Sequence, residues 1–247
     1  MNHRYEFWWQ GQLDPAQVFL QHRQQNPIPL SPADQMQIQR VCRQHRDRGQ
    51  RVENLPLYQY LHFHIDPNGL HLEVARTTYE DYLGLGVLNH AQAPLVLAVC
   101  AATEIEGQLV IERRSALVAQ GRGLLHVKPS GHIHPPASPW QALECEALEE
   151  LALQPHEIDQ ASLLGLVCSH TANCVSLVYR LHTPLDWKTW RKRTPIDSWE
   201  AEELFGLPSD QESLRGWLDA SAESSAGPGH AAVLCFYEWR YGPTRAS

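Results

Sequence analysis

Between Gly131 and Leu153 the chain reads GHIHPPASPWQALECEALEELAL. A glycine and a proline-rich turn lead into a segment carrying Glu146, Glu149 and Glu150. An α-helix brings positions i, i+3 and i+4 onto one face, so these three carboxylates share an edge. Carboxylates crowded in that way repel one another unless a positive charge sits among them. Hard divalent cations, Mg²⁺ and also Mn²⁺, suit such a place because they take oxygen ligands and tolerate several carboxylates. Acidic helices with this spacing are more often solvated faces, so the triplet needs a well-defined frame. Ser138 with Gln141 forms a capping box, and Pro139 takes the first helical position. Trp140, Ala147 and Leu151 fall on another face, and Glu144 projects nearly opposite the triplet. The helix thus has an acidic edge offset from its buried edge.

Other residues carry weaker chemistry. His132 and His134 flank the turn, and His62 and His64 share one face of a strand. Such H-x-H pairs bind zinc only with third and fourth ligands, which the sequence does not place nearby. Ser169-His170-Thr171 lacks the G-x-S-x-G elbow of a serine hydrolase. The aromatics Tyr5, Phe7, Trp8 and Trp9 read as core of the N-terminal region rather than as a base-stacking surface. Trp187 and Trp190, with Lys188 to Arg193, read as a solvated turn.

The frame around these groups is that of an ordinary globular chain. Of 247 residues, 43% are hydrophobic and 19% charged, and the net charge is −8 without a long basic run. A nucleic-acid partner is therefore not expected, whereas a local phosphate site is compatible with this balance. The six cysteines form no C-x-x-C pair, which points to reduced thiols in the cytoplasm. MNHRYEFWWQGQLD lacks the apolar core of a signal peptide. The longest apolar run, Pro94 to Ala102, is too short to span a membrane and reads as a buried strand. Ser31 to Gln50 reads as a capped helix, and Tyr58 to Val74 as a β-hairpin turning at Asp66-Pro67-Asn68-Gly69. Pro94–Glu104 and Gln108–Arg114 read as strands joined at Gly107. Leu163–Val167, Cys174–Leu181 and the end of Trp199–Leu207 read as further strands. Asp210–Ala220 and His230–Tyr241 read as helices, with AESSAGPG between them as a flexible break.

The stretch from Gly131 resembles the Nudix box, G-x5-E-x7-R-E-U-x-E-E-x-G-U, where U is a bulky aliphatic residue. Gly131 and the three glutamates match. The chain departs at Ala137, Cys145 and Ala152, where the pattern has glutamate, arginine and glycine. VLAVCAATEIEGQLVIERRS and LLHVKPSGHIH are similar to the strands and loop that open the box. LSPADQ, the hairpin, TTYEDYLG and AAVLCFYEWRYG extend the resemblance to a branch acting on UDP-glucose. The resemblance implies an α/β fold: a Nudix-type α/β/α sandwich with a mixed sheet over residues 86–247, and a small α+β extension over 1–85. It implies that Glu146, Glu149 and Glu150, with the Ser130 carbonyl, hold the metal. Glu200, with Glu203 as the alternative, takes the late-loop position that binds metal or acts as base. Gly131, His132 and either Arg113 or Arg114 are expected against the substrate; adjacent strand residues face opposite ways, so at most one arginine can stand in for the missing one. The activity implied is Mg²⁺-dependent hydrolysis of a nucleoside diphosphate linked to another group, with UDP-glucose and UDP-galactose giving UMP and a sugar 1-phosphate. A nucleotide-binding regulator that has lost turnover, or a nucleoside triphosphate pyrophosphatase, stands as the alternative.

Overall fold

The computed structural model describes residues 5–24 and 30–243, so Met1 to Arg4 of the N-terminal stretch quoted above lie outside the described residues. In chain order the elements are β1 (Tyr5–Leu13), β2 (Val18–His22), α1 (Pro32–Asp47), β3 (Pro56–Asp66), β4 (Gly69–Thr78), α2 (Tyr79–Val87), β5 (Val96–Ile105), β6 (Gln108–Arg114), β7 (Leu125–Val127), β8 (Ser130–His132), α3 (Pro139–Leu151), β9 (Gln160–Ser169), β10 (Cys174–Thr183), α4 (Trp187–Trp190), β11 (Ala201–Pro208), α5 (Gln211–Ser221) and α6 (Gly227–Tyr241).

All ten residues of β5 are buried. A strand with that profile must be covered on both faces. Its alternating side chains divide the core accordingly. Leu97, Val99 and Ala101 pack with Ala142 and Leu143 of α3. Cys100 and Ala102 pack with Ala231, Ala232 and Phe236 of α6. Burying a side chain such as Phe236 stabilises the fold by about 2–3 kcal/mol. The sheet between these layers is mixed. Its main path runs β1-β9-β10-β5-β3-β4-β2, with β8 also on β5 and with β6 joining β5 to β7 and β11. β5 and β10 are parallel, as are β2 and β4. The architecture is therefore an α/β sandwich with helices on both faces.

Two local expectations are corrected. The N-terminal aromatics do not form a core of their own. β1 pairs antiparallel with β9, from Tyr5 opposite Ser169 to Leu13 opposite Leu163. Alternation sends Tyr5 and Phe7 to the α6 side and Trp8 to the α3 side, and the register shift between Phe7 and Trp9 brings Trp9 into the α3-side cluster as well. The stretch AESSAGPG is not a flexible break throughout: Gly227, Pro228 and Gly229 are buried and open α6. The reason is packing, because a Cβ on Gly229 would lie 2.9 Å from the His126 Cα, and only glycine lets α6 approach β7 so closely. The hairpin β3–β4 and the helix α1 form where the pattern places them, with Asp66 accepting from the Asn68 and Gly69 amides and Ser31 capping α1. The sheet is continuous across residue 86, since β3 meets β5 at Gln59 and Val96.

Candidate active site

Helix α3 starts as its sequence dictates. Ser138 Oγ accepts from the Gln141 amide and Gln141 Oε1 accepts from the Ser138 amide. Ala147 and Leu151 are fully buried, packing against Val110 of β6. That anchoring fixes the acidic edge toward β8. Gly131 in β8 explains why the edge can come so close: a Cβ built there would fall 1.8 Å from Glu146 Oε1 and 2.2 Å from its Cδ. The Glu146 carboxylate thus occupies the space any other residue would need at position 131. It has no hydrogen bond or ion pair among the described residues. The Glu149 carboxylate accepts only from the Cys145 thiol, at 3.6 Å, among the described residues, and the Glu149 main-chain carbonyl accepts from the Asp197 amide at 2.9 Å.

Glu150 is different. Its Oε2 accepts from the Ser130 amide at 2.7 Å, and its Oε1 contacts the Nζ of Lys128. That ammonium also lies 3.2 Å from Glu112 Oε2 and 3.2 Å from Glu200 Oε2. Lys128 is 1% exposed and Glu112 fully buried. Arg114 completes the cluster, with NH1 3.0 Å from Glu112 Oε1. The choice between the two arginines is settled by strand parity. Val110, Glu112 and Arg114 face α3, whereas Arg113 turns outward and donates to the Gly123 carbonyl at 3.3 Å. Glu200, not Glu203, reaches the cluster. The Glu200 carbonyl accepts from the Ser115 amide at 2.7 Å, which ties this turn to the end of β6, and Glu203 is exposed opposite Arg113.

The electrostatics follow from burial against charge. Burial opposes the Lys128 charge, but Glu150, Glu112 and Glu200 outweigh it and hold the ammonium above the ordinary lysine range. Burial would raise Glu200, yet Lys128 and Arg114 bring its carboxyl below the usual value. Glu146 lacks a direct cation. Burial, with Glu200, Glu149 and Asp197 nearby, pushes it up to about 8 despite Lys128. His132 is pushed down to about 4 by burial and sits edge-on to Tyr79 and Tyr82, at 5.8 and 5.1 Å.

These groups line a cleft of about 870 Å³. Its acidic wall carries Glu146, Glu149, Asp197 and Glu200. Tyr79, Tyr82, Arg114 and Trp199 also line it, with the Trp199 indole N–H donating to Asp197 Oδ1 at 2.8 Å and the Arg51 guanidinium 4.3 Å over the Trp199 ring. β8 contributes Ser130, Gly131 and His132 to the lining. This volume is of the size that encloses a small-molecule ligand. The donor set suits a hard divalent cation at Glu146 and Glu149, whose carboxylate oxygens are uncommitted to any cation. Glu150 and Glu200 differ from expectation in already having one.

Sequence reasoning did not single out Lys128, Glu112, Asp197, Tyr79, Tyr82, Trp199 or Arg51. The signal for the first was a single cation ending the apolar run LLHVK. The signal for Glu112 was its parity with Arg114. Of the H-x-H pairs, His134 is bound to the Pro56 carbonyl at 3.0 Å. His64 does gain neighbours across the hairpin, since one ligand atom each of His64, Asp66 and His71 lies within 4.8 Å of the others. The two rings stack 4.7 Å apart and 3° from parallel, however, so their in-plane lone pairs run side by side rather than converge. Ala152, where the box pattern has glycine, ends α3 with φ 52°, the left-handed conformation. Trp190 is buried and donates to the Leu151 carbonyl, so this turn is a packed corner rather than a solvated one.

No family profile matches the sequence, and no curated protein matches it. Among solved structures the chain is similar to a protein of Deinococcus radiodurans, with 24% identity over 56% of this chain and 80% of that one, at a TM-score of 0.42. It is similar to a MutT protein from Methanosarcina mazei Go1, with 18% identity over 59% and 94% and a TM-score of 0.41. It is also similar to an ADP compounds hydrolase, with 14% identity over 79% of this chain and all of that one, at a TM-score of 0.43.

Proposed function

We propose that the chain is a Nudix-type hydrolase that uses Mg²⁺ or Mn²⁺ to cleave a nucleoside diphosphate linked to another moiety. The observation that carries this reading is Glu146. It is an unpaired carboxylate, seated against the bare Cα of Gly131, on the wall of a ligand-sized cleft and one helical turn from Glu149. Glu146 and Glu149, with the Ser130 carbonyl, are the groups that would hold the ion. Bound there, it would neutralise diphosphate oxygens and lower the pKa of a water. Glu150 acts through position: tied to Lys128 and the Ser130 amide, it fixes α3 against β8. Glu200, kept ionised by Lys128 and Arg114, takes the proton-accepting role. Arg114 and His132 face the phosphates. Tyr79, Tyr82 and Trp199 offer aromatic surface to a base and sugar.

UDP-glucose and UDP-galactose are the substrates this reading names, with UMP and a sugar 1-phosphate as products. The support is the sequence resemblance together with the cleft wall, which residues of the N-terminal 85 help to build. The six free cysteines, five of them buried, are compatible with a cytoplasmic protein. Among the described residues no helix is long and apolar enough to cross a membrane.

The test is a product assay with Mg²⁺ on UDP-sugars, ADP-ribose and nucleoside triphosphates, with wild type and Glu146→Gln side by side. UDP-sugar turnover that Glu146→Gln abolishes supports the reading. Turnover of triphosphates alone would make the chain a nucleoside triphosphate pyrophosphatase. Nucleotide binding without turnover would favour the regulatory alternative, toward which the Lys128 ammonium among the carboxylates points.

A further inference from the structure

The carboxylates around α3 divide into two sets by what they touch. Glu112, Glu150 and Glu200 converge on one ammonium. An ammonium has three N–H donors, and Lys128 Nζ meets one carboxylate oxygen from each of these residues. Arg114 adds a second cation on Glu112, and the Ser130 amide takes the remaining Glu150 oxygen. The inner set therefore gathers three carboxyl groups around two cations; Lys128 donates hydrogen bonds to Glu150 and Glu200, while Glu112 Oε2 meets it as an ion pair without a hydrogen bond. Glu146 and Glu149 form the outer set, reach the cleft, and touch no cation.

We infer that Lys128 is a permanent cation in the inner set and that the site consequently holds one divalent ion, on Glu146 and Glu149. This rests on the hydrolase reading above for the outer ion and on the structure alone for Lys128. A dication bound directly by Glu112, Glu150 and Glu200 would have to share their oxygens with an ammonium already in contact with all three. Lys128 cannot easily retreat, because its side chain is buried and it lies at the end of β7, with its amide bonded to the Val110 carbonyl. Like charges at that separation repel strongly where water is excluded. Lys128 is thus a positioning residue: it presents Glu150 and Glu200 in fixed orientations and sets the number of ions.

The experiment is Mn²⁺ binding to the full chain, with free Mn²⁺ read by electron paramagnetic resonance and melting followed in parallel. Wild type should bind one Mn²⁺ per chain. Lys128→Met, which keeps length but removes charge, should bind a second ion at least about tenfold more tightly than wild type does, and its melting temperature should become more dependent on Mn²⁺. If that variant does not fold, Lys128→Met with Glu150→Gln removes one charge of each sign and should again bind one ion. Two ions on wild type would overturn the inference while leaving the metal-dependent reading intact. No ion on wild type would sink that reading. A folded Lys128→Met with wild-type stoichiometry and affinity would show that Lys128 fills no cation position.

Discussion

Replacing Gly131 by alanine tests the site through a single methyl group. The Cβ would meet Glu146 Oε1 at 1.8 Å, whereas ordinary contact begins at 3.4 Å, so that oxygen must retreat by about 1.6 Å. The atoms in conflict are the far end of a flexible side chain, and β8 imposes no left-handed backbone at this glycine, so the fold can absorb the change. Alanine also restricts the unfolded chain, worth roughly 0.4–1 kcal/mol in favour of folding. Stability should therefore stay level or rise slightly. Catalysis should not survive so well. A displacement near 1 Å in a reacting constellation costs on the order of 100-fold in rate. The expected result is an unchanged melting temperature, turnover of whichever substrate the product assay identifies about 100-fold lower, and weaker Mn²⁺ binding. Wild-type turnover and Mn²⁺ affinity in Gly131→Ala would refute the role given to Glu146. Unfolding would refute the claim that only a mobile carboxylate stands in the way.

Three further outcomes are expected. Ala152→Gly should stabilise the chain by up to about 1 kcal/mol in denaturant unfolding, because Ala152 sits at φ 52° and glycine adopts that conformation without the steric cost; a loss of stability would mean the backbone there is not strained. Burial holds His126 down at about 3 from an ordinary 6.5, so in the folded state it resists protonation. Its contribution is complete above pH 6.5 and shrinks as pH falls toward 3, by about 2 kcal/mol at pH 5. Raised carboxyls such as Glu146 act in the opposite sense, so the measurement is the difference between wild type and His126→Gln from pH 7 to pH 5, which should narrow by that amount. Trp199→Ala removes the ring under Arg51 and should raise KM about tenfold with little change in kcat; an equal fall in kcat would place Trp199 nearer the chemistry than the cleft wall.

The parts of this site that were legible from sequence are those that depend on local periodicity. The spacing of Glu146, Glu149 and Glu150, the capping box at Ser138 and the turn at Asp66 each follow from contacts within a few residues. Strand identity for β5 and β6 was equally local. Lys128 was not legible, since its partners Glu112 and Glu200 lie 16 and 72 residues away and meet it only through sheet register. The same holds for Arg114 over Arg113. Alternation says that one of them faces α3, but only the pairing of β6 with its neighbours says which. β1 is the extreme case: its aromatics were read as core of the N-terminal region, and nothing near them names a strand or β9 as its partner.

That pairing has a bearing on how the chain is made. Tyr5 meets Ser169, so during synthesis at about 5–20 residues per second the β1 segment waits on the order of 10–30 s for its partner. Through that interval Tyr5, Phe7, Trp8 and Trp9 have no sheet to join, and they are the kind of segment that chaperones hold and that neighbouring nascent chains capture. The finished molecule has the complementary weakness. β1 caps β9 at one border of the sheet, and its removal would bare the β9 backbone as a template for intermolecular strand addition. Yield in a heterologous host should therefore depend on growth temperature and on what is fused ahead of Tyr5 more than on any residue of the cleft.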